Sequence, residues 1–213
     1  MYNTLRKELF FVILFKIMNV AIVKYNAGNI YSIHYALKRL GVEPIITAEK
    51  ELLQKADKIV FPGQGEAVKT MQYLKRHRLN ELIKELKQPV LGICIGMQLM
   101  CRCSEEGNVN CLGIFDTPVL KFQPEKHEDK IPHMGWNTLT NLKNYLYEGI
   151  KEESFVYFVH SFYVPASKYT IAITNYIQPF SASLQKDNFY ATQFHPEKSG
   201  KVGEKILSNF LSL

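Results

Sequence analysis

The sequence predicts an α/β protein with a mostly parallel central sheet and an antiparallel or mixed addition in its C-terminal half. Short apolar runs alternate with helical patterns through the first half of the chain, which is typical of βαβ units. From about residue 155 onward, short strands instead follow one another with close turns. Neither a long linker nor an internal repeat interrupts the sequence, so we expect one folded domain.

The parallel part of the sheet is predicted from four apolar runs that fit strands buried on both faces. These runs are residues 19–24, 42–47, 58–61 and 90–93. Helical spacing of apolar residues from Ile30 to Leu40 places a helix after the first run, and Gly41 is expected to end it. Apolar residues between Met71 and Leu86 predict one long helix before the fourth run.

The C-terminal half is predicted to contain four short strands and a closing helix. The strands are residues 155–160, 169–176, 181–185 and 189–194, and the helix is residues 203–211. Asp187 and Asn188 mark the turn between the last two strands. In open α/β sheets the chemistry lies at the carboxyl ends of strands, so the segments that follow Phe61 and Ile93 are the first candidates for a site.

Composition narrows the possible functions. The chain has 213 residues, of which 46% are apolar and 22% charged, as in ordinary globular proteins. Part of the formal net charge of +6 is concentrated at residues 75–78, Lys-Arg-His-Arg. This cluster fits either a solvated helix end or a patch that attracts an anionic substrate or partner. Nothing resembles a nucleic-acid-binding motif, so no nucleic-acid partner is expected.

The cysteines and histidines do not form a pattern typical of a metal site. The four cysteines lack CxxC spacing, and we predict no metal and no other cofactor. Cys101 and Cys103 are interpreted as small hydrophobic residues on or near a helix. His127 and His133 are interpreted as surface or hydrogen-bonded histidines rather than ligands.

The first 17 residues are interpreted separately from the rest. Their apolar run at 10–15 is far shorter than the roughly 20 residues that span a bilayer. Lys16 follows it without a small-residue cleavage site, which disfavours a signal peptide. We therefore expect Met18 to be the working start, with residues 1–17 an extension and residues 18–213 the functional domain. A reducing cytoplasm is the expected compartment, with no membrane segment.

The segment from Gly92 to Gly96 contains the candidate nucleophile. It reads Gly-Ile-Cys-Ile-Gly between a predicted strand and a predicted helix, which is the thiol form of a nucleophile elbow. The glycines permit a tight, strained turn that exposes the central side chain. A helix that begins directly after Cys94 favours a negatively charged thiolate. Alone, the pattern fits a buried structural cysteine equally well.

His195-Pro196-Glu197 supplies a candidate base with its orienting carboxylate. Proline restricts the preceding residue to extended backbone, and residues i and i+2 of an extended chain project to the same side. Glu197 can then bind one ring nitrogen of His195 and orient the other toward a nucleophile. Alone, this segment also fits a surface turn with an incidental ion pair. Beside a cysteine elbow, it favours a Cys-His-Glu triad.

The segment Pro62-Gly63-Gln64-Gly65 is a candidate for oxyanion binding. It follows a neighbouring predicted strand, and its glycines let backbone N–H groups approach a substrate closely. Elbow enzymes take one oxyanion donor from the residue after the nucleophile, here Ile95, and another from a nearby loop. We therefore expect donors at Gly63, Gln64 and Ile95. A plain strand-to-helix turn is the alternative.

Together these segments resemble the class I (triad) glutamine amidotransferases, over nearly all of residues 18–213. Within the class, Pro-His-Met-Gly-Trp-Asn favours the glutaminase subunits of imidazole glycerol phosphate synthase. The matching segments are residues 25–30, 61–65, 91–99, 104–107, 132–137, 158–162 and 193–200. The resemblance implies a three-layer, flavodoxin-like fold. It also implies hydrolysis of L-glutamine to L-glutamate and ammonia through a cysteine thioester.

The resemblance assigns roles by position. Cys94 is the nucleophile, His195 the general base and acid, and Glu197 its orienter. The residues implied to hold L-glutamine are Gln98, Glu106 near its amino group, and the backbone of Ser161 and Phe162 at its carboxylate. One position departs from the family, which often has a small apolar residue where this chain has Gln64.

The resemblance also implies a partner. Asn29, Trp136 and Tyr157 fall where the family meets its cyclase subunit, a separate (β/α)8 barrel, in a heterodimer. Ammonia passed to that subunit yields imidazole glycerol phosphate and aminoimidazole carboxamide ribonucleotide in histidine biosynthesis, and the chain alone would be nearly idle. For Trp136, a core aromatic is the alternative. Two alternatives for the whole chain are a glutaminase that serves another synthase and a catalytically silent binding subunit.

Overall fold

The computed structural model describes residues 18–25, 30–63 and 65–213. The predictions about residues 1–17, Asn29 and Gln64 lie outside the described residues. Within the described parts, none of the helices is both long and apolar enough to cross a membrane.

Strands and helices alternate in the first half of the described chain. The first strands are β1 (Val20–Val23), β2 (Ile45–Thr47), β3 (Lys58–Phe61) and β4 (Val90–Ile93). The helices are α1 (Ile30–Arg39), α2 (Lys50–Lys55), α3 (Ala67–Arg76), α4 (Leu79–Glu85), α5 (Ile95–Met100) and α6 (Gly200–Leu211). Short strands dominate the second half, which α6 closes.

The remaining strands supply one end of the main sheet and two smaller units. They are β5 (Cys101–Ser104), β6 (Val109–Asn110), β7 (Phe115–Lys121), β8 (His133–Thr138), β9 (Phe155–His160), β10 (Phe162–Tyr163), β11 (Thr170–Tyr176), β12 (Gln178–Lys186) and β13 (Phe189–Thr192). The smaller units are a sheet of order β10-β7-β5-β6 and the antiparallel β8–β9 pair.

The main sheet has the order β11-β12-β13-β4-β3-β1-β2. Every pair in the row from β13 through β4, β3 and β1 to β2 is parallel, whereas the pairs β11–β12 and β12–β13 are antiparallel. The predicted parallel sheet with an antiparallel addition in the C-terminal half is therefore confirmed.

Two apolar cores cover the two faces of this sheet. Val20 and Ile22 pack in one core with the apolar faces of α1 and α6, whereas the alternate residues Ala21 and Val23 pack in the other with α3, α4 and α5. Alternate strand residues point to opposite faces, so a run buried on both faces requires helices on both sides. The result is three layers. Each buried Leu or Ile contributes roughly 1.5–3 kcal/mol by its removal from water.

One sequence prediction in this region is wrong and another is confirmed. The single long helix is two helices, α3 and α4, because Arg78 adopts a left-handed backbone with φ of 55° that no α-helix can continue. Cys101 and Cys103 lie on β5, which begins directly where α5 ends at Met100 and pairs with β7, so the prediction of positions on or near a helix is confirmed. The prediction that Cys101 is a buried small residue is confirmed.

The strand register brings the three predicted site segments together. Ile93 at the end of β4 pairs with Thr192 at the end of β13, and Gly92 pairs with Phe61 at the end of β3. The segments that begin at residues 62, 94 and 193 therefore leave the same edge of the sheet side by side. This is the carboxyl edge, where open α/β sheets bind ligands.

Candidate active site

Cys94 lies in a strained turn between β4 and α5. Its backbone has φ of 52° and ψ of −110°, a region that residues with a side chain rarely adopt. The Cys94 N–H donates to the carbonyl of Thr192 at 2.7 Å, which fixes the turn against β13. Ile95 is the first residue of α5, so its N–H has no acceptor within the helix.

The glycines around Cys94 are required because the backbone segments touch. A β-carbon on Gly96 would lie 2.2 Å from the carbonyl oxygen of Phe61, and one on Gly63 would lie 2.1 Å from that of Ile93. Both distances are far shorter than any van der Waals contact. The loop after β3 therefore packs directly on the elbow.

His195 and Glu197 form a buried ion pair. His195 Nδ1 lies 2.8 Å from Glu197 Oε1, and the two side chains are 2% and 5% exposed. The sequence analysis predicted this pairing from an extended backbone at both residues. His195 is extended, but Glu197 lies in a short 3-10 turn at Pro196–Lys198. The turn brings the carboxylate back to the ring, and the other oxygen of Glu197 has no hydrogen-bond partner in the described residues.

Cys94 also acts on the protonation of the His195 ring. Burial alone lowers the pKa of His195, but the charge and hydrogen bond of Cys94, together with those of Glu197, outweigh it and raise that pKa to about 10. The protonated form of the His195 ring is thereby stabilised. Gln193 Nε2 is a further donor to the sulfur, at 3.6 Å.

The backbone of His195 is held on two sides. Its N–H donates to the carbonyl of Tyr157 at 2.9 Å, and the Ser199 hydroxyl donates to its carbonyl at 2.6 Å. The same Ser199 oxygen accepts from the N–H of Tyr157 at 3.0 Å. Ser199 therefore links β9 to the turn that carries the ion pair. Its role was not predicted, since a serine after a turn has no sequence signal for this contact.

These side chains surround a cavity of about 420 Å³. It is lined by Gly63, Gly65, Cys94, Ile95, Gln98, Glu106, Val159, His160, Ser161, Phe162, His195 and Lys198. The residues predicted to bind substrate thus lie together with the sulfur and the imidazole. Glu197 lies behind His195. Gly65 belongs to the predicted oxyanion segment, whereas Val159, His160 and Lys198 were not predicted.

Gln98 and Glu106 are both held by the protein. Gln98 Nε2 donates to the carbonyl of Phe162 at 3.1 Å and to Gln193 Oε1 at 2.9 Å, so its side-chain oxygen is the atom left for a ligand. Glu106 Oε2 accepts from the N–H of Ala67 at 2.9 Å, at the start of α3. Burial raises the pKa of Glu106, with the Ala67 hydrogen bond acting against that shift.

Tyr25 is a further contact that the sequence did not predict. Its buried hydroxyl donates to the carbonyl of Pro62 and so fixes the start of the loop at residues 62–65. Burial raises the pKa of Tyr25 far above its ordinary value, and the charge of Cys94 adds to the shift. The phenol therefore stays protonated and remains a donor. No local pattern joins a residue after β1 to a loop after β3.

Two of the residues predicted to meet a partner, Trp136 and Tyr157, lie on the β8–β9 pair, beside the cavity. Trp136 is 56% exposed, so the alternative of a core aromatic is wrong. Its ring centroid lies 6.0 Å from that of the half-buried Tyr157. His127 is exposed and His133 is buried and hydrogen-bonded, as interpreted from the sequence.

Comparison with known proteins gives the class. The family model for class-I glutamine amidotransferases matches residues 21–213, and the chain belongs to this family of glutamine amidotransferase enzymes. It is 68% identical to imidazole glycerol phosphate synthase subunit HisH of Bacteroides thetaiotaomicron over 196 residues, 92% of this chain and 100% of the relative. The HisH subunit of Escherichia coli is 45% identical over 198 residues, with the same coverage.

The fold is shared with more distant relatives. A glutamine amidotransferase of known crystal structure superimposes with a TM-score of 0.70 over 91% of this chain and 98% of that protein, at 18% identity. The predicted class I glutamine amidotransferase fold is therefore confirmed.

Proposed function

We propose that this chain is the glutaminase subunit of an imidazole glycerol phosphate synthase in histidine biosynthesis. The observation that carries the proposal is the buried His195 ring between the sulfur of Cys94 and the carboxylate of Glu197, at the wall of a cavity. The 68% identity to a HisH subunit over its full length selects this glutaminase among the members of the class.

The first half of the reaction forms a thioester. The Cys94 thiolate attacks the side-chain carboxamide carbon of L-glutamine, and the carbonyl oxygen becomes an oxyanion. Backbone N–H groups of Gly63, Gln64 and Ile95 are the proposed donors to that oxyanion; loss of one such donor costs roughly 100- to 1,000-fold in rate. The His195 imidazolium gives its proton to the departing nitrogen, ammonia leaves, and a glutamyl thioester remains on Cys94.

The second half releases L-glutamate. The now neutral His195 takes a proton from water, and the resulting hydroxide attacks the thioester carbonyl. The second oxyanion collapses with the thiolate as leaving group, which restores the sulfur anion and the imidazolium. Glu197 keeps the ring oriented and stabilises its charge at each protonated stage.

Polar groups at the opposite side of the cavity are proposed to hold the substrate. Glu106 presents an acceptor to the α-amino group of L-glutamine, and the side-chain oxygen of Gln98 presents a second. The backbone of Ser161 and Phe162 supplies donors to the α-carboxylate. These four residues line the same cavity as Cys94, which supports one bound orientation.

We propose a cyclase with a (β/α)8 barrel as the partner, bound as a heterodimer in the cytoplasm. The exposed side chains of Met134, Trp136 and Phe155 give the β8–β9 pair an apolar outer face, which supports a docking role for Trp136 and Tyr157. The same strands line the cavity at Val159. Ammonia is a nucleophile only while unprotonated, so a short dry passage through this face favours the coupled reaction. Asn29 belongs to the same proposed interface.

The proposal is tested by a comparison of two nitrogen sources. The chain and a purified cyclase are mixed, and product formation is measured with L-glutamine and with ammonium. Cys94→Ala is expected to lower the glutamine-dependent rate on the order of a million-fold and to leave the ammonia-dependent rate unchanged. Cys103→Ala, at a half-buried cysteine outside the cavity, is the matched control and should leave both rates unchanged.

Two outcomes would contradict the proposal in different ways. An unchanged glutamine-dependent rate in Cys94→Ala would exclude the thioester mechanism and favour a silent binding subunit. A wild-type chain that hydrolyses L-glutamine only with another synthase, such as one for an aminated sugar or pyridoxal phosphate, would retain the mechanism and replace the partner.

A further inference from the structure

A series of hydrogen bonds leads from the inner face of the β8–β9 pair to the wall of the cavity. Asn137 Nδ2 lies 3.0 Å from the carbonyl oxygen of Asn175 and 3.3 Å from His133 Nε2. His133 Nδ1 lies 3.0 Å from His160 Nε2. His160 Nδ1 lies 2.7 Å from the carbonyl oxygen of Phe162. We call Asn137, His133 and His160 the imidazole chain.

The donors in the imidazole chain have one consistent direction. The Phe162 carbonyl can only accept, so the proton of His160 must be on Nδ1. Its Nε2 then accepts from Nδ1–H of His133, whose Nε2 accepts from the amide of Asn137. Each ring is a neutral Nδ1–H tautomer with both nitrogens bonded. A second proton on either ring would place two donors against each other.

Burial keeps both rings in this neutral form. His133 and His160 are 4% and 6% exposed, and the His133 ring stacks on that of Tyr176 with centroids 3.9 Å apart. Burial lowers the pKa of His133 to about 4. Burial, and more weakly the charges of His133 and His195, lower the pKa of His160 to about 3 against the opposing hydrogen bond to Phe162.

Space filling alone does not require imidazoles at these positions. The surrounding side chains are aromatic, with Phe158 and Phe180 near both rings. A phenylalanine would fill this space without burial of polar nitrogens, which costs stability unless every one of them is bonded. The feature that a phenylalanine would lack is the hydrogen bond that His160 donates to Phe162.

The end of the imidazole chain fixes the backbone of Phe162, a residue that lines the cavity. The N–H of Phe122 donates to the carbonyl of Ser161 at 3.2 Å, so Phe162 occupies a non-hydrogen-bonded position of the β10–β7 ladder. At such a position the N–H and C=O of a residue both point away from the neighbouring strand. The Phe162 carbonyl accepts there from His160 and Gln98. Its N–H lies on the same strand edge.

We propose that the imidazole chain positions the Phe162 peptide, so that the Phe162 N–H is aimed at the α-carboxylate of bound L-glutamine. The proposal rests on the proposed glutaminase function. The three side chains act through the backbone and touch no reacting atom, so they are positioning residues. They determine selectivity for a free α-carboxylate rather than the rate of the chemical step.

The kinetic consequence follows from where the carboxylate binds. Its contacts are remote from the reacting amide and equal in the ground and transition states, so their loss raises KM and leaves kcat nearly unchanged. His160→Phe removes the hydrogen bond to the Phe162 carbonyl and so weakens the one from the Phe162 N–H to the substrate carboxylate. KM for L-glutamine is expected to rise roughly tenfold, the usual effect of losing one hydrogen bond to a charged group. His160→Asn, whose amide can reach the Phe162 carbonyl, is expected to restore most of the loss.

A substrate without the carboxylate separates positioning from general damage. In the complex with the cyclase, kcat and KM are measured for L-glutamine and for its α-amide. His160→Phe should weaken kcat/KM for L-glutamine roughly tenfold and leave kcat/KM for the α-amide within about twofold of wild type. An equal loss on both substrates, or no loss on either, would overturn the proposal. His127→Phe, at an exposed histidine, is the matched control.

Failure of the glutaminase function remains distinguishable from failure of this proposal. A wild-type complex that does not hydrolyse L-glutamine would overturn the proposed function. Nitrogen-15 NMR of the histidine rings tests the imidazole chain without turnover: both rings should be neutral Nδ1–H tautomers at pH 7, and His133→Phe should shift the His160 Nε2 resonance. A proton on Nε2 of either ring would contradict the inferred direction of donation.

Discussion

Two buried histidine sites lie beside the same cavity and differ in protonation: His195 favours the charged form, whereas His133 and His160 favour the neutral form. The pKa of His195 is raised to about 10, whereas those of His133 and His160 are lowered to about 4 and about 3. All three rings are almost fully buried, and burial lowers the pKa of each. Of the three, only His195 has acidic neighbours, Cys94 and Glu197, whose charges raise its pKa. The difference teaches that bonded partners, rather than burial, decide whether a buried histidine transfers protons or serves as a rigid neutral support.

The largest expected contrast is between matched substitutions at the two sites. His195→Asn should lower glutamine-dependent kcat on the order of a million-fold, because the acid and base are both lost. His160→Asn should change kcat by less than about threefold. Both are measured in the complex with the cyclase, with the ammonia-dependent rate as the control for folding. Comparable losses of kcat in the two variants would contradict the division of roles.

Glu197→Gln should have the next largest effect. The amide has nearly the same size and shape as the carboxylate, of which only one oxygen is hydrogen-bonded among the described residues. It cannot neutralise the imidazolium and can hold the ring in the wrong tautomer, so kcat should fall about 10⁴-fold. Steady-state kinetics with thermal unfolding as a control measure this. A loss smaller than about tenfold would mean that the carboxylate is only structural.

The two sites should also give stability opposite dependences on pH. The pKa of His195 is higher in the fold than its ordinary value near 6.5, so its contribution is full below about 6.5 and is lost as the pH rises through about 10. The pKa values of His133 and His160 are lower in the fold, so their contribution is full above about 6.5 and is lost as the pH falls toward 4.

Urea unfolding at pH 5, 7 and 9.5 checks this dependence. The double variant His133→Phe/His160→Phe should lose less stability between pH 7 and 5 than wild type. Glu197→Gln should lose less between pH 7 and 9.5, since its His195 is less strongly protonated at the outset. Parallel pH curves for all three proteins would show that these rings do not titrate as inferred.

The smallest expected effect is at the outer end of the imidazole chain. Asn137→Ala removes the donor to His133 and leaves the His160–Phe162 hydrogen bond in place. KM for L-glutamine should rise roughly two- to threefold, with kcat unchanged. A larger rise than in His160→Phe would mean that Asn137 acts on the cavity by another route.

The sequence predicted the parts of the site that are formed by residues close to one another along the chain. The elbow at Cys94, the loop at Gly63 and the His195–Glu197 pair each follow from residues close in sequence to a strand end, and parallel pairing then brings the strand ends together. Contacts between distant side chains had no such signal. Gln193, Ser199, Tyr25 and His160 acquire their partners only through the sheet register.

One wrong helix and one strand that was not predicted have the same origin. The break between α3 and α4 lies at Arg78, a residue type that gives no indication of a left-handed backbone. The strand that contains Cys101 follows a six-residue helix without a turn signal, and its partner β7 contains Pro118, which argues against a strand when read alone. The pairing of β5 with β7 in the smaller sheet overrides the local sequence preferences of these two strands.

Trapping the covalent intermediate tests the central claim, that Cys94 attacks L-glutamine with His195 as its acid and base. The complex is mixed with L-glutamine, quenched in acid within the first turnovers, digested and sequenced by mass spectrometry. A glutamyl group should be found on the peptide that holds Cys94, and at this sulfur. Continued release of glutamate with Cys94 unmodified, or with the glutamyl group on another residue, would contradict the account.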